Sequence, residues 1–337
     1  MPRFKHIDAL RGLAILLVVY VHLVNYGLFS FKGGWLDCAW SPAVIGLKFR
    51  MPLFFFLSGL LAYGIYTPVK FRKRVVNRLR KQLWPTIVVC LLFNGLCYWD
   101  GWHSLIYNKH NDQYWFTQSL VQIFLLYAVM ARIFDATKAS MRTQTIVLAA
   151  TIAILLGGEI WITSLGKLPN HHFLQYSYLN RTVAYGQFFM LGVLARMWWD
   201  RFHVIFEQYW IYILITAYFI AGCIVDFGYT GLPTRMAGVV AVYGAFWFSR
   251  NFWGGESFLA RGLSALGRHT LPVYLYHYIG LHFLMKSGWL AGLKSIYGGW
   301  WEIPVVTLLA LTMALVCVLI DKFIKRTMNP IHTLVYG

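Results

Sequence analysis

Asp8-Ala9-Leu10-Arg11-Gly12-Leu13-Ala14-Ile15-Leu16-Leu17-Val18-Val19-Tyr20-Val21-His22 opens the first long apolar run of this chain. With the residues just after it, the run has the length of a membrane-crossing helix, for which about 20 predominantly apolar residues suffice. Yet it contains an arginine and a histidine. They are eleven residues apart, close to a whole number of helical turns, so they share one face within roughly 20° and stand about 16 Å apart along the axis. An ionisable side chain in lipid costs roughly 2.5 to 3.5 kcal/mol or more, so such residues face a protein interior or a watery path and carry a functional role by default.

The rest of the chain repeats the apolar pattern. Of 337 residues, 59% are hydrophobic, 18% aromatic and only 12% charged, and the mean hydropathy is +0.56. These values exclude an ordinary soluble domain and predict an all-α, polytopic membrane protein. Apolar runs of spanning length fall near 10–28, 44–66, 83–99, 115–134, 145–163, 182–199, 209–226, 235–250, 268–288 and 303–324, which gives about ten transmembrane helices. The net charge of +18 points to membrane orientation rather than nucleic acid, because the basic residues gather in alternate loops. With a cytoplasmic N-terminus, the inner segments collect Arg3, Lys5 and Arg11, the basic residues of 70–81, Arg132, Lys138, Arg142, Arg196, Arg201, Arg250, Arg261, Arg268, Lys322, Lys325 and Arg326. That bias predicts both termini on the cytoplasmic side.

Tyr20 and His22 interrupt the first run and no small-x-small site comes after it, so it reads as a retained helix rather than a cleaved signal. No linker, repeat or long loop marks a second domain, so residues 1–337 are expected to form one membrane domain. Cys38, Cys90, Cys97, Cys223 and Cys317 are scattered without a C-x-x-C spacing, which indicates neither a disulfide framework nor a metal site. His171-His172 has no matching carboxylates in its loop, and no metal is predicted. The longer outer loops, about 100–114 and 164–181, are rich in aromatics, Asn and His, in contrast to the basic inner loops.

Several side chains could carry chemistry. Asp8 lies three residues before Arg11, where an ion pair could hold the guanidinium so that its planar donor fork meets a phosphate or a carbonyl. A neutral His22 can take a proton from a hydroxyl at physiological pH. The bland alternative is that Arg11 reaches the inner headgroups while His22 bonds a neighbouring helix. Arg50-Met51-Pro52-Leu53-Phe54-Phe55-Phe56-Leu57-Ser58-Gly59 in the second run combines a buried arginine with a helix-perturbing proline and a Ser58-Gly59 pair suited to close helix approach. Lys70-Phe71-Arg72-Lys73-Arg74-Val75-Val76-Asn77-Arg78-Leu79-Arg80-Lys81 is a basic amphipathic stretch. It suits either anionic lipid headgroups or a polyanionic cofactor such as a CoA thioester, for which Arg72, Lys73, Arg74, Arg78 and Lys81 are the candidate ligands. No glycine-rich phosphate loop is present. Glu159 is the acid well inside an apolar run and could pair with an arginine or a substrate hydroxyl. His277 is expected within the membrane, hydrogen-bonded to the interior.

Three of these segments, in this order, resemble the membrane-bound acyltransferase 3 family over nearly the whole chain. They are Arg11 and His22 with ten residues between them, Met51-Pro52-Leu53-Phe54-Phe55-Phe56-Leu57-Ser58-Gly59, and Leu266-Gly267-Arg268-His269-Thr270-Leu271-Pro272-Val273-Tyr274-Leu275-Tyr276-His277. Two departures are visible. The family's Arg-x-x-Arg after the second helix is met here by Arg78-Leu79-Arg80-Lys81, and Arg50 stands where related sequences often have His before Met-Pro. The resemblance implies an integral O-acyltransferase of the bacterial inner membrane. Such an enzyme moves an acyl group, most often acetyl, from cytoplasmic acyl-CoA to a sugar hydroxyl of a surface glycan or lipid-linked precursor. In that frame His22 and Arg11 are the expected catalytic residues, His22 activating the acceptor hydroxyl or transiently carrying the acyl group and Arg11 positioning CoA or the thioester carbonyl, with Asp8, Arg50, Ser58, Glu159 and His277 in support. The rival class is a transporter or exporter of glycan intermediates, for which intramembrane charges are equally normal; paired broken helices in related halves would favour it, and the sequence has no such symmetry.

Overall fold

The computed structural model describes residues 4–27, 41–97, 114–164, 177–225, 231–289 and 301–327. Among these the secondary structure is entirely helical, without a strand. Helix α1 runs Lys5–His22 and continues as a π-helical turn over Leu23–Gly27; α2 is Pro42–Ala62, with Pro52 inside it. The basic stretch forms α3, Pro68–Arg78, a π-turn over Leu79–Leu83, and then α4, Trp84–Cys97. Next come α5 (Trp115–Ala136), α6 (Met141–Ser164), α7 (Leu179–Met197), α8 (Trp199–Glu207) and α9 (Tyr209–Val225). The chain then forms α10 (Leu232–Phe248), α11 (Arg250–Gly254), α12 (Phe258–Arg268), α13 (Thr270–Lys286) and α14 (Glu302–Thr327).

The local starts obey capping chemistry. Thr67 accepts the Lys70 N–H ahead of α3, with Pro68 at the first helical position, and Ser257 accepts the Ala260 N–H ahead of α12. Four helices are long and apolar enough to cross a membrane: α1 with its π-turn, α5, α6 and α14. A fifth candidate joins α8 to α9, but the chain bends by 82° between them. The remaining expected runs are helical over much of their length, as α2, α4, α7, α10 and α13, without joining this group among the described residues. Hydroxyls on two of these candidate spans bond their own backbone: Thr151 donates to the Val147 carbonyl and Thr312 to that of Leu308. This removes their desolvation cost where no water is at hand.

The described residues divide into two compact units, residues up to Phe54 with those from His203 to Thr327, and Phe55 to Phe202. In the first unit α1 is the hub, with α10, α11, α12, α13 and α14 packed against it. Its crossing with α12 depends on two glycines. A Cβ on Gly12 would lie 2.0 Å from the Leu263 carbonyl oxygen, and one on Gly267 would lie 1.8 Å from that of Asp8. Backbone meets backbone there, as small residues permit in membrane helix pairs. In the second unit α7 packs on α5 and α6, and α5 on α3. The same device recurs between α2 and α7, where Gly59 abuts the Phe189 carbonyl and Gly192 that of Phe56.

Candidate active site

The α1–α12 crossing fixes the start of α13. Gly267 is seated on Asp8, so three residues later Thr270 stands beside the next turn of α1, where its hydroxyl accepts a hydrogen bond from Arg11 Nη2 at 2.9 Å. Further along both helices His22 meets His277. Thus α1 and α13 run side by side in the same direction, touching at Arg11 with Thr270 and again at His22 with His277.

The second contact has a defined proton order. His277 is buried, and its Nδ1 lies 2.9 Å from the Val273 carbonyl, which can only accept. His277 Nε2 is 2.8 Å from His22 Nδ1, and His22 Nε2 is 3.0 Å from the Tyr278 hydroxyl. With both imidazoles neutral, one arrangement satisfies all three contacts. His277 donates from Nδ1 to Val273, His22 donates from Nδ1 to His277, and Tyr278 donates to the lone pair on His22 Nε2. The rings are parallel, 5.1 Å apart and 6° from coplanar orientation, with the Tyr278 ring 4.7 Å from His22. One histidine therefore orients another, whose remaining lone pair meets the Tyr278 hydroxyl, the relation of an orienting group to a general base. The π-turn begins immediately after His22, and such turns recur at functional sites.

Around this core, Arg11 and Asp8 are half-buried on α1. Arg50 is buried on α2, within electrostatic reach of His22. Lys48, earlier on the same helix, is likewise buried and donates to the Gly222 carbonyl at 3.1 Å. The other expected residues lie in the second unit. Ser58 is half-buried beside the Gly59 crossing. Glu159 on α6 accepts from the Gln187 side chain of α7.

The basic stretch is sorted by its helical period. Arg72, Lys73 and Lys81 are exposed, whereas Arg74 and Arg78, one turn apart, are half-buried. Arg74 stacks 4.4 Å above the Tyr66 ring and donates to the Ala62 carbonyl at 2.9 Å. Arg78 stacks 4.6 Å above Phe124 and donates to Gln82 at 2.8 Å. Near Tyr66 opens a cleft of about 360 Å³, lined by Tyr63, Tyr127, Phe134, Asp135 and Lys138 among others. Among the described residues no cluster of three His, Cys, Asp or Glu could hold a metal ion; His171 and His172 lie outside the described residues.

Tyr278 and Thr270 are the site residues the sequence does not single out. Thr270 lies inside the late motif, but nothing in its spacing marks it as the arginine's partner. Tyr278 comes directly after His277, and one aromatic among many in an apolar run gives no signal by itself.

A half-buried His22 paired with a buried His277, with Arg11 on the helix of His22, thus stands in an all-helical protein whose described residues include helices long and apolar enough to cross a membrane. The comparison with protein families gives the class its name. The acyltransferase domain family of type 3 matches residues 4–320, so the chain belongs to this family of membrane acyltransferases, and that one match takes in residues of both units. No curated protein and no solved structure matches the chain.

Proposed function

We propose that this protein transfers an acyl group, most simply acetyl, from cytoplasmic acyl-CoA to a sugar hydroxyl of a surface or exported glycan. The observation that carries this reading is the hydrogen-bond chain from Val273 through His277 to His22, which orients an imidazole as a base. His22 Nε2 takes the proton of the acceptor hydroxyl as its oxygen attacks the thioester carbonyl. The C–S bond then breaks, and the leaving thiolate takes that proton from the imidazolium. His277 stabilises the cation formed midway, since its Nε2 already accepts from His22 Nδ1.

Arg11 serves the donor rather than the reacting carbonyl. It stands about 16 Å along the helix from His22, and its fork suits a phosphate or a carbonyl of the CoA arm. Within the second unit, Arg72, Lys73, Arg74, Arg78 and Lys81 are the candidate ligands for CoA phosphates, and the aromatic cleft beside Tyr66 suits a planar base. The side-by-side course of α1 and α13 is what a ten-span chain with both termini cytoplasmic requires of its first and ninth spans. A bacterial inner membrane is the location this reading implies.

The test is to incubate the purified protein in detergent with radiolabelled acetyl-CoA and a panel of candidate glycans. Label on a glycan with the wild type, abolished by His22→Ala while the protein still accumulates in the membrane, supports the reading. Near-normal acylation by His22→Ala removes His22 from the mechanism, and the absence of label across the panel removes the activity.

A further inference from the structure

The base is occupied. A pyridine-type ring nitrogen has a single in-plane lone pair, and that of His22 Nε2 receives the Tyr278 hydroxyl at 3.0 Å. Tyr278 is buried, and its ring lies 4.2 Å from that of His277 and 4.7 Å from that of His22, so this hydroxyl belongs to the packed core of the site. Its chemistry is that of the acceptor: an O–H donated to the base.

We infer that Tyr278 is a specificity residue that holds the acceptor's position on His22 and makes the enzyme choose a sugar alcohol over water. This rests on the acyl-transfer reading above. One lone pair cannot hold two donors, so the acceptor hydroxyl and the phenol are mutually exclusive on Nε2. A carbohydrate that brings binding contacts of its own can displace the phenol. A water molecule brings no such contacts, so while Tyr278 is seated the thioester is not exposed to an activated water. Tyr278 thus sets a threshold that only a bound acceptor passes.

The consequence is readable in kinetics. Tyr278→Phe keeps the ring and its packing on the two imidazoles but frees the lone pair. Removing one neutral hydrogen bond that the substrate must displace corresponds to about a 2- to 12-fold change in apparent affinity.

The experiment uses the full-length protein in detergent, acetyl-CoA as donor and methyl glucoside as the alcohol probe, with free thiol and acetylated glucoside measured together. For Tyr278→Phe, thiol release without alcohol should rise several-fold over wild type, the ratio of hydrolysis to transfer should rise, and the apparent KM for the alcohol should fall. Adding His22→Ala to Tyr278→Phe should erase the gained hydrolysis, which a loosened fold would not do. A ratio that stays level or drops would overturn the inference, as would loss of transfer with a displaced pH profile, the mark of a phenol that relays the proton. If the wild type neither releases thiol nor acetylates the probe or the glycan panel, the acyl-transfer reading itself fails. A wild type that transfers beside an unaltered Tyr278→Phe ratio refutes the role of Tyr278 alone.

Discussion

Helices α1 and α6 look alike as apolar runs and live in different surroundings. Two thirds of the most apolar window of α1 is buried within the protein, against 11% for α6. On α1, Ile15 and Val18 are almost fully enclosed; on α6, Ile154, Ile160 and Trp161 stand open to the surroundings. Their polar residues are alike half-buried and differ in partner: Arg11 and His22 meet α13, while Glu159 accepts from Gln187 on the adjacent helix. Hydropathy measures what a helix can be buried in, not whether lipid or protein does the burying.

The largest separation of the two helices should come from their polar groups. His22→Ala is expected to abolish transfer at unchanged membrane accumulation, whereas Glu159→Gln, which keeps a polar partner for Gln187, should leave glycan labelling within about twofold of wild type. Breaking the orienting contact comes next. His277→Phe retains an aromatic ring but removes the acceptor from His22 Nδ1, and should lower kcat by about 10²-fold or more, the lower end of what a positioned base contributes, with a smaller effect on acceptor KM. Steady-state kinetics at saturating donor would check it.

Packing gives the next contrast. Ile15→Ala opens a cavity in an enclosed core and should destabilise by about 2 to 5 kcal/mol, while Ile154→Ala, at a site where lipid or detergent fills the space, should stay within about 0.5 kcal/mol. Thermal unfolding of the two purified variants distinguishes them, and equal losses would mean that α6 is covered by protein. A smaller effect on the reaction is expected at the Arg11 contact: Thr270→Val removes one hydrogen bond to the guanidinium, worth about 1.5 kcal/mol, and should raise donor KM while sparing kcat.

Much of this was legible in the residues. The eleven-residue spacing placed Arg11 and His22 on one face, and both turn toward the same neighbour, α13. The late motif Leu266 to His277 held Gly267, which permits the close crossing, and His277, the partner of His22. What the sequence could not carry is pairing between distant segments. Nothing near Thr270 announces Arg11, 259 residues away. Within the basic stretch, charge alone did not distinguish exposed Arg72 and Lys73 from Arg74 and Arg78; that division is set by which face of α3 meets Tyr66 and Phe124. The helix count depended on length and apolarity: the run near 209–226 is α9, which enters the group of crossing candidates only when joined to α8, from which it bends by 82°.

The π-turn after His22 bears on how this chain can change length. Between Arg11 and His22 an inserted or deleted residue would rotate one contact by about 100° relative to the other, so that stretch admits no length variation if both contacts with α13 are to survive. A π-turn already carries a surplus residue over an α-turn. Deleting one residue within Leu23–Gly27 would restore ordinary winding downstream and leave His22 where it is, making this segment the natural place for related chains to absorb insertions and deletions in the first helix.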